Sequence, residues 1–207
     1  MLAGTNGAGK SSIGGALLRE SGGDYFNPDE VAAALRKRSA KLTQAEANAL
    51  AWQLGVQQLE RAIHERLDYF METTLGGSTI TERLEQALEA DHEVRIWYVG
   101  LRDVELHLAR VAARVKDGGH DIPEEDVRRR FDQSRLNLIA LLPQLTELKL
   151  YDNSFEASPA RGRAPRPTLV LSWQSGRIVR PKDLSKTPAW AKPIVASALK
   201  LSARADR

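Results

Sequence analysis

The sequence predicts an α/β fold in three layers, a parallel sheet with helices on both faces and a β-hairpin near the C-terminal end. Three observations carry that expectation. Short apolar runs at residues 24–27, 69–72, 94–101 and 148–152 alternate with stretches of helical period, the pattern of strands joined by crossover helices. Gly4-Thr5-Asn6-Gly7-Ala8-Gly9-Lys10-Ser11 reads as a glycine-rich turn from a buried strand into a helix. Residues 168–173 and 177–180 flank Gln174-Ser175-Gly176, which is hairpin spacing.

Each element has a local cause. Only three residues precede Gly4, whereas strands usually run about 5–6 residues. Either the first strand is short or the chain starts late, and a truncated or misassigned start is expected. Asn27-Pro28 fits an N-cap followed by the first helical position. Thr43 with Glu46 forms a capping box that opens a helix of about 22 residues. Thr79 with Glu82 suggests a second box, followed by a buried stripe of Ile80, Leu84 and Leu88. Val104, Leu108, Val111 and Val115 fall on one helix face. Pro123 opens another helix, with Glu124, Glu125 and Asp126 in the turn where acids suit the dipole. Residues 160–167, basic and rich in proline, read as a loop.

The 207 residues suit one domain, with about 103–142 as a helical lid region and about 161–207 as a basic hairpin and helix. Hydrophobic residues at 42% and charged residues at 28% give a globular balance. Cysteine is absent, which excludes disulfides and thiolate metal sites and fits a reducing, cytoplasmic setting. No run approaches the roughly 20 apolar residues of a membrane helix, so no membrane partner is expected. Residues 161–207 hold 11 Lys/Arg against 2 Asp/Glu. Such a tail can touch nucleic acid, but Trp173 and Trp190 are too few for a stacking platform, and a solvated surface is the expectation.

The glycine-rich turn carries the chemistry. Gly4, Gly7 and Gly9 let backbone N–H groups of Thr5, Asn6 and Ala8 converge on phosphate oxygens. Lys10 supplies a point charge, Ser11 is placed to hold Mg²⁺, and the next helix, starting through Ser12, points its positive end at the anion. ATP with Mg²⁺ is therefore the expected ligand. The loop is similar to that of ABC-type ATPases, but Thr74-Leu75-Gly76-Gly77-Ser78 is a weak echo of their signature. No apolar run ends in the Asp-Glu pair that positions water, which favours transfer over hydrolysis.

Other candidates lie at strand ends, where ligands gather in open parallel sheets. Asp29 can accept a proton from an attacking hydroxyl, or it is an ordinary acid of a helix first turn. Glu72, Thr73 and Thr74 can grip a polar substrate, or they cap a strand. His107, Arg110 and Arg114 share a helix face, as a polyphosphate clamp or a solvated surface. Gly118-Gly119 before His120 suits a lid hinge. Arg128, Arg129 and Arg130 cannot all face one ligand.

Together these motifs resemble the zeta toxin family of P-loop kinases, in its ABC-like ATPase branch. The matching pieces are residues 4–11, Asn27-Pro28-Asp29-Glu30, Glu72-Thr73-Thr74-Leu75-Gly76-Gly77, Arg110-Val111 with Arg114-Val115, Gly118-Gly119-His120-Asp121-Ile122-Pro123, and Tyr151-Asp152-Asn153-Ser154. The resemblance implies a P-loop kinase-like fold and transfer of the ATP γ-phosphate to UDP-N-acetylglucosamine or a related sugar nucleotide. It implies Lys10 and Ser11 on ATP and Mg²⁺, Asp29 as general base, Glu72 and Thr74 on substrate, and Arg110 on phosphate. The family's second arginine role passes to His120, Arg128 or Arg130. An antitoxin protein is the implied macromolecular partner. The rivals are a kinase of nucleic-acid ends or of a small metabolite, and a non-enzymatic nucleotide- or antitoxin-binding protein.

Overall fold

The structure, a computed structural model, describes residues 1–10, 25–155 and 167–205. Ser11, Ser12 and most of the basic 160–167 segment lie outside the described residues.

Among the described residues seven strands form one sheet: β1 (Leu2–Ala3), β2 (Tyr25–Phe26), β3 (Phe70–Thr73), β4 (Arg95–Gly100), β5 (Glu147–Asp152), β6 (Thr168–Gln174) and β7 (Arg177–Arg180). Their spatial order is β2-β3-β1-β4-β5-β6-β7. The first five are parallel, and β6 and β7 extend the sheet antiparallel. The two-residue β1 sits between β3 and β4, with Leu2 opposite Glu72 and Trp97. The described helices are α1 (Pro28–Arg38), α2 (Gln44–Glu65), α3 (Ser78–Glu89), α4 (Val104–Lys116), α5 (Glu124–Leu141) and α6 (Lys192–Ala205). This is the three-layer P-loop kinase fold with a C-terminal hairpin.

The central strands bury one face most completely: in β5 Leu148, Leu150 and Asp152 are buried, whereas Glu147, Lys149 and Tyr151 are half-buried. Ile96, Tyr98, Leu148, Leu150, Leu171 and Trp173 form the centre of the core with Leu138 and Leu141 of α5 and Ile194 of α6. The hairpin turns through Ser175 (φ 42°) and Gly176 (φ 90°), both left-handed as a two-residue turn requires.

Helix starts follow local chemistry except once. Asn27 caps α1, with Pro28 at its first position, and Thr43 with Glu46 completes the capping box of α2. The expected box at Thr79 and Glu82 does not form. Gly77 is the N-cap of α3, without a side-chain cap. Asn137 of α5 donates to the carbonyls of Leu75 and Gly77 at 2.9 and 3.1 Å, holding the N-cap two residues before Thr79. The stripe holds, with Ile80 and Leu84 buried and Leu88 packed partly against the core.

Toward the other end of the described chain, Arg177, Arg180, Lys182, Lys186, Lys192, Lys200 and Arg204 are all exposed. No described helix is long and apolar enough to cross a membrane.

Candidate active site

Strand polarity decides where the polar residues meet. Chain segments leaving the carboxyl ends of β1, β2, β3 and β4 carry Gly4, Asn27, Thr74 and Leu101, so the loops gather at one edge of the sheet. There they line a cleft of about 750 Å³, within the usual range for ligand sites.

The phosphate loop is shaped by its glycines. Gly4, Gly7 and Gly9 have φ of 138°, 79° and 86°, in a region side chains resist. A Cβ on Gly4 would also collide with the carbonyl oxygen of Val99 on β4, and one on Gly7 would lie 2.8 Å from the His107 carbonyl oxygen. Close packing of β4 and α4 thus demands glycine at both places.

Lys10 is buried beneath the loop. Its Nζ donates to the carbonyls of Gly4 (2.7 Å) and Thr5 (3.4 Å) and lies 3.5 Å from Glu72 Oε1. Glu72 is buried too, and it accepts from the Tyr25 hydroxyl and from Asn27 Nδ2 at 3.4 Å. The Glu72 carboxylate therefore faces the loop lysine. Asn27 in turn accepts from the backbone N–H of Asp29 (2.9 Å) and Glu30 (3.4 Å), tying the start of α1 to that pair.

Asp29 stands half exposed on the cleft wall. Arg114 Nη1 lies 3.4 Å from its Oδ2, and His120 Nε2 lies 3.9 Å from its Oδ1. Arg114 also donates to the His120 carbonyl at 3.4 Å, so the loop after α4 is fastened beside Asp29. Arg110 lines the same cleft and donates to the Asn153 carbonyl at 2.8 Å.

The arginine run on α5 divides. Arg130 lines the cleft, donates to Asn6 Oδ1 at 2.9 Å and pairs with Asp126 at 3.4 Å. Arg129 also lines it, pairing with Asp126 at 2.6 Å. Arg128 does not belong to the cleft. It faces away to Glu105 at 2.8 Å and Glu124 at 2.7 Å, because a neighbour on a helix is turned about 100°. His107 also leaves the clamp. It is buried on the back of the phosphate loop, Nδ1 2.7 Å from the Asn6 carbonyl oxygen, with its ring edge on Phe131. Burial and the charges of Lys10 and Arg110 push its pKa down to about 4, so it is neutral and Nδ1 is the donor.

The loop after β3 is held by α5. Ser134 Oγ donates to the Thr74 carbonyl at 2.6 Å and itself lies 2.9 Å from the Tyr98 hydroxyl. Thr73 and Thr74 thereby reach the cleft beside Glu72.

Asp152-Asn153-Ser154, a piece of the family resemblance, forms a turn beside the phosphate loop. Asp152 Oδ1 accepts from the Ser154 N–H (3.2 Å), from its hydroxyl, and from Trp190 Nε1 (3.3 Å). This local turn at the end of β5 aims Asn153 at the phosphate loop, where Nδ2 donates to the Ala8 carbonyl at 2.9 Å. The Asn153 Oδ1 is buried without a partner among the described residues. An Asp-x-Ser at a strand end signals such a turn, but not its distant target.

The chain is similar to several known proteins. The zeta toxin family model matches residues 1–156. An uncharacterized protein of Haemophilus influenzae is 34% identical over 128 residues, covering 62% of this chain and 88% of that protein. The solved structure of AvrRxo1-ORF1:-ORF2 with ATP superposes with a TM-score of 0.63 at 17% identity, over 95% of this chain. The chain spans only 62% of that neighbour's length. The PezAT chromosomal toxin-antitoxin system of Streptococcus pneumoniae gives a TM-score of 0.53 at 14% identity, over 98% of this chain and 85% of the other.

Proposed function

The chain belongs to the zeta toxin family, and on that premise we propose that it is an ATP-dependent kinase whose acceptor is a sugar-nucleotide hydroxyl, on UDP-N-acetylglucosamine or a relative. The observation that carries the reading is Asp29. It shares one cleft with Lys10 and with Arg110, Arg114 and Arg130, as a base, an anchor and cations must to serve one phosphoryl group. The backbone of residues 4–10 suits a triphosphate, through its left-handed glycines and buried Lys10. Mg²⁺, held by the phosphates and Ser11, would neutralise charge on the transferring group; among the described residues no cluster of three ligating side chains competes for it.

In the reaction, the acceptor oxygen bonds to the γ-phosphorus, the bond from that phosphorus to the ADP oxygen breaks, and the hydroxyl proton passes to Asp29. Arg114 beside Asp29 orients the carboxylate and meets the growing charge of the phosphoryl oxygens. Arg110 and Arg130 flank the phosphate loop for the same purpose. Glu72 orders Lys10, and Thr73 and Thr74 offer hydroxyls to the acceptor.

A protein partner of antitoxin type is part of the same reading, supported by the PezAT toxin-antitoxin likeness.

The test is labelled ATP with UDP-N-acetylglucosamine. A gain of one phosphate on the sugar nucleotide is expected, slowed about 10²–10⁴-fold in Asp29→Asn with MgATP binding retained. Phosphate appearing on nucleic-acid ends, with the UDP-sugar untouched, would defeat the proposal.

A further inference from the structure

The cleft has two kinds of wall. Lys10, Arg110, Arg114, Arg129 and Arg130 make one rich in cations, most of them paired with Glu72, Asp29 or Asp126. The other is uncharged, formed by Asn48, Ala49 and Trp52 of α2 with Thr79 and Ile80 of α3. The two walls meet at the loop before α3, where Arg129 Nη1 lies 3.5 Å from the Gly76 carbonyl oxygen.

Trp52 is the unusual member. A tryptophan in a cleft is normally covered, yet this indole is 48% exposed. Its place is fixed by Gly55, one helical turn further along α2. A Cβ on Gly55 would lie 2.7 Å from the Phe26 ring, so the glycine seats α2 directly on the end of β2. Asn27 and Asp29 leave that same strand end. Leu50 and Leu54 of α2 are exposed as well, but they do not line the cleft, so general exposure of the helix does not account for an indole turned into it.

We propose that Trp52 is a stacking platform for the ring of the acceptor, a subsite separate from the nucleotide's cationic wall. A flat π face beside amide and hydroxyl side chains recognises a ring with polar edges, such as a nucleobase or a pyranose, and not another polyphosphate. This deepens the sugar-nucleotide reading and rests on it for the acceptor's class. In that arrangement the diphosphate of the acceptor points toward the arginines while its ring lies on Trp52.

The experiment uses the whole chain, parent, Trp52→Phe and Trp52→Ala, with three probes: UDP, N-acetylglucosamine 1-phosphate and MgATP. In the parent, tryptophan fluorescence is quenched by UDP if the base stacks, or by the sugar phosphate if the pyranose stacks, and that quench disappears in both variants. In turnover, Trp52→Ala raises the KM for UDP-N-acetylglucosamine about 5- to 100-fold, the effect of losing one ring stack, while Trp52→Phe recovers most of it. The MgATP affinity of all three proteins stays within about twofold. The side chain is half exposed, so unchanged melting temperatures are expected and checked first. An acceptor KM within twofold of the parent in Trp52→Ala overturns the inference while leaving the kinase reading standing. A quench that follows MgATP and neither other probe also overturns it, by assigning the wall to the nucleotide. If UDP-N-acetylglucosamine is never phosphorylated, the functional reading falls. The subsite is then decided by binding alone, a Trp52-dependent quench by UDP or the sugar phosphate supporting it and none defeating it.

Discussion

Lys10 and Glu72 make one pair with two consequences, which a double substitution separates. Lys10→Ala removes the cation that faces a buried carboxylate. Breaking a buried pair this way typically costs about 3–5 kcal/mol. Two features lower the figure here. The separation of 3.5 Å is longer than a tight charge-assisted bond, and Glu72 keeps the Tyr25 hydroxyl and Asn27 Nδ2 as donors. The expected destabilisation is therefore about 1–3 kcal/mol, or a melting temperature lower by roughly 2–10 °C in a chain of this size. Adding Glu72→Gln removes the stranded charge and should recover more than half of that loss. It should not recover nucleotide binding, because the phosphates have lost their point charge. MgATP affinity measured by calorimetry should fall at least about 30-fold in both Lys10→Ala and the double variant, equivalent to 2 kcal/mol or more. Parent-like MgATP affinity in Lys10→Ala would falsify the phosphate-site assignment. A double variant no more stable than Lys10→Ala would show that stranding Glu72 is not the source of the cost.

Two other contacts give measurable expectations. Asn153→Ala leaves the buried Ala8 carbonyl without its donor and should cost about 1–3 kcal/mol in urea unfolding. Asn153→Asp should cost more, since it sets a buried carboxylate against that carbonyl; equal stability of Asn153→Asp and the parent would remove the role assigned to the turn. His107 has a pKa lowered from 6.5 to about 4, so the unfolded chain takes up its proton first as pH falls. Its contribution is full above about pH 6.5 and is lost progressively toward pH 4, with roughly 2 kcal/mol gone by pH 5. His107→Gln, which keeps a donor for Asn6 and does not titrate, should lose that part of the stability difference between pH 7 and pH 5; an unchanged pH dependence in the variant would count against it.

What could be read in the sequence depended on how far each cause reached along the chain. The phosphate loop was legible because its requirements are local: three glycines, a lysine and their spacing define the backbone path. The capping box of α2 was legible for the same reason. The box at Thr79 failed because a residue on another helix, Asn137, competes for the start of α3 through bonds to Leu75 and Gly77. Nothing within the 78–89 segment announces that competitor. The arginines at 128–130 show the limit from another side. Helical period says that three consecutive residues diverge, but only the neighbours decide which one is spent on Glu105 and Glu124. Asn153 shows it most plainly. The turn that presents it is encoded by its own neighbours, Asp152 and Ser154, and so is readable as a turn. Its hydrogen bond reaches Ala8 across 145 residues of chain, and that pairing exists only after β1 and β5 have been placed on either side of β4. The motif thus helps to hold a loop formed at the opposite end of the sequence. Its carbonyl also accepts from Arg110, so one short turn sets both the phosphate loop and the arginine above it.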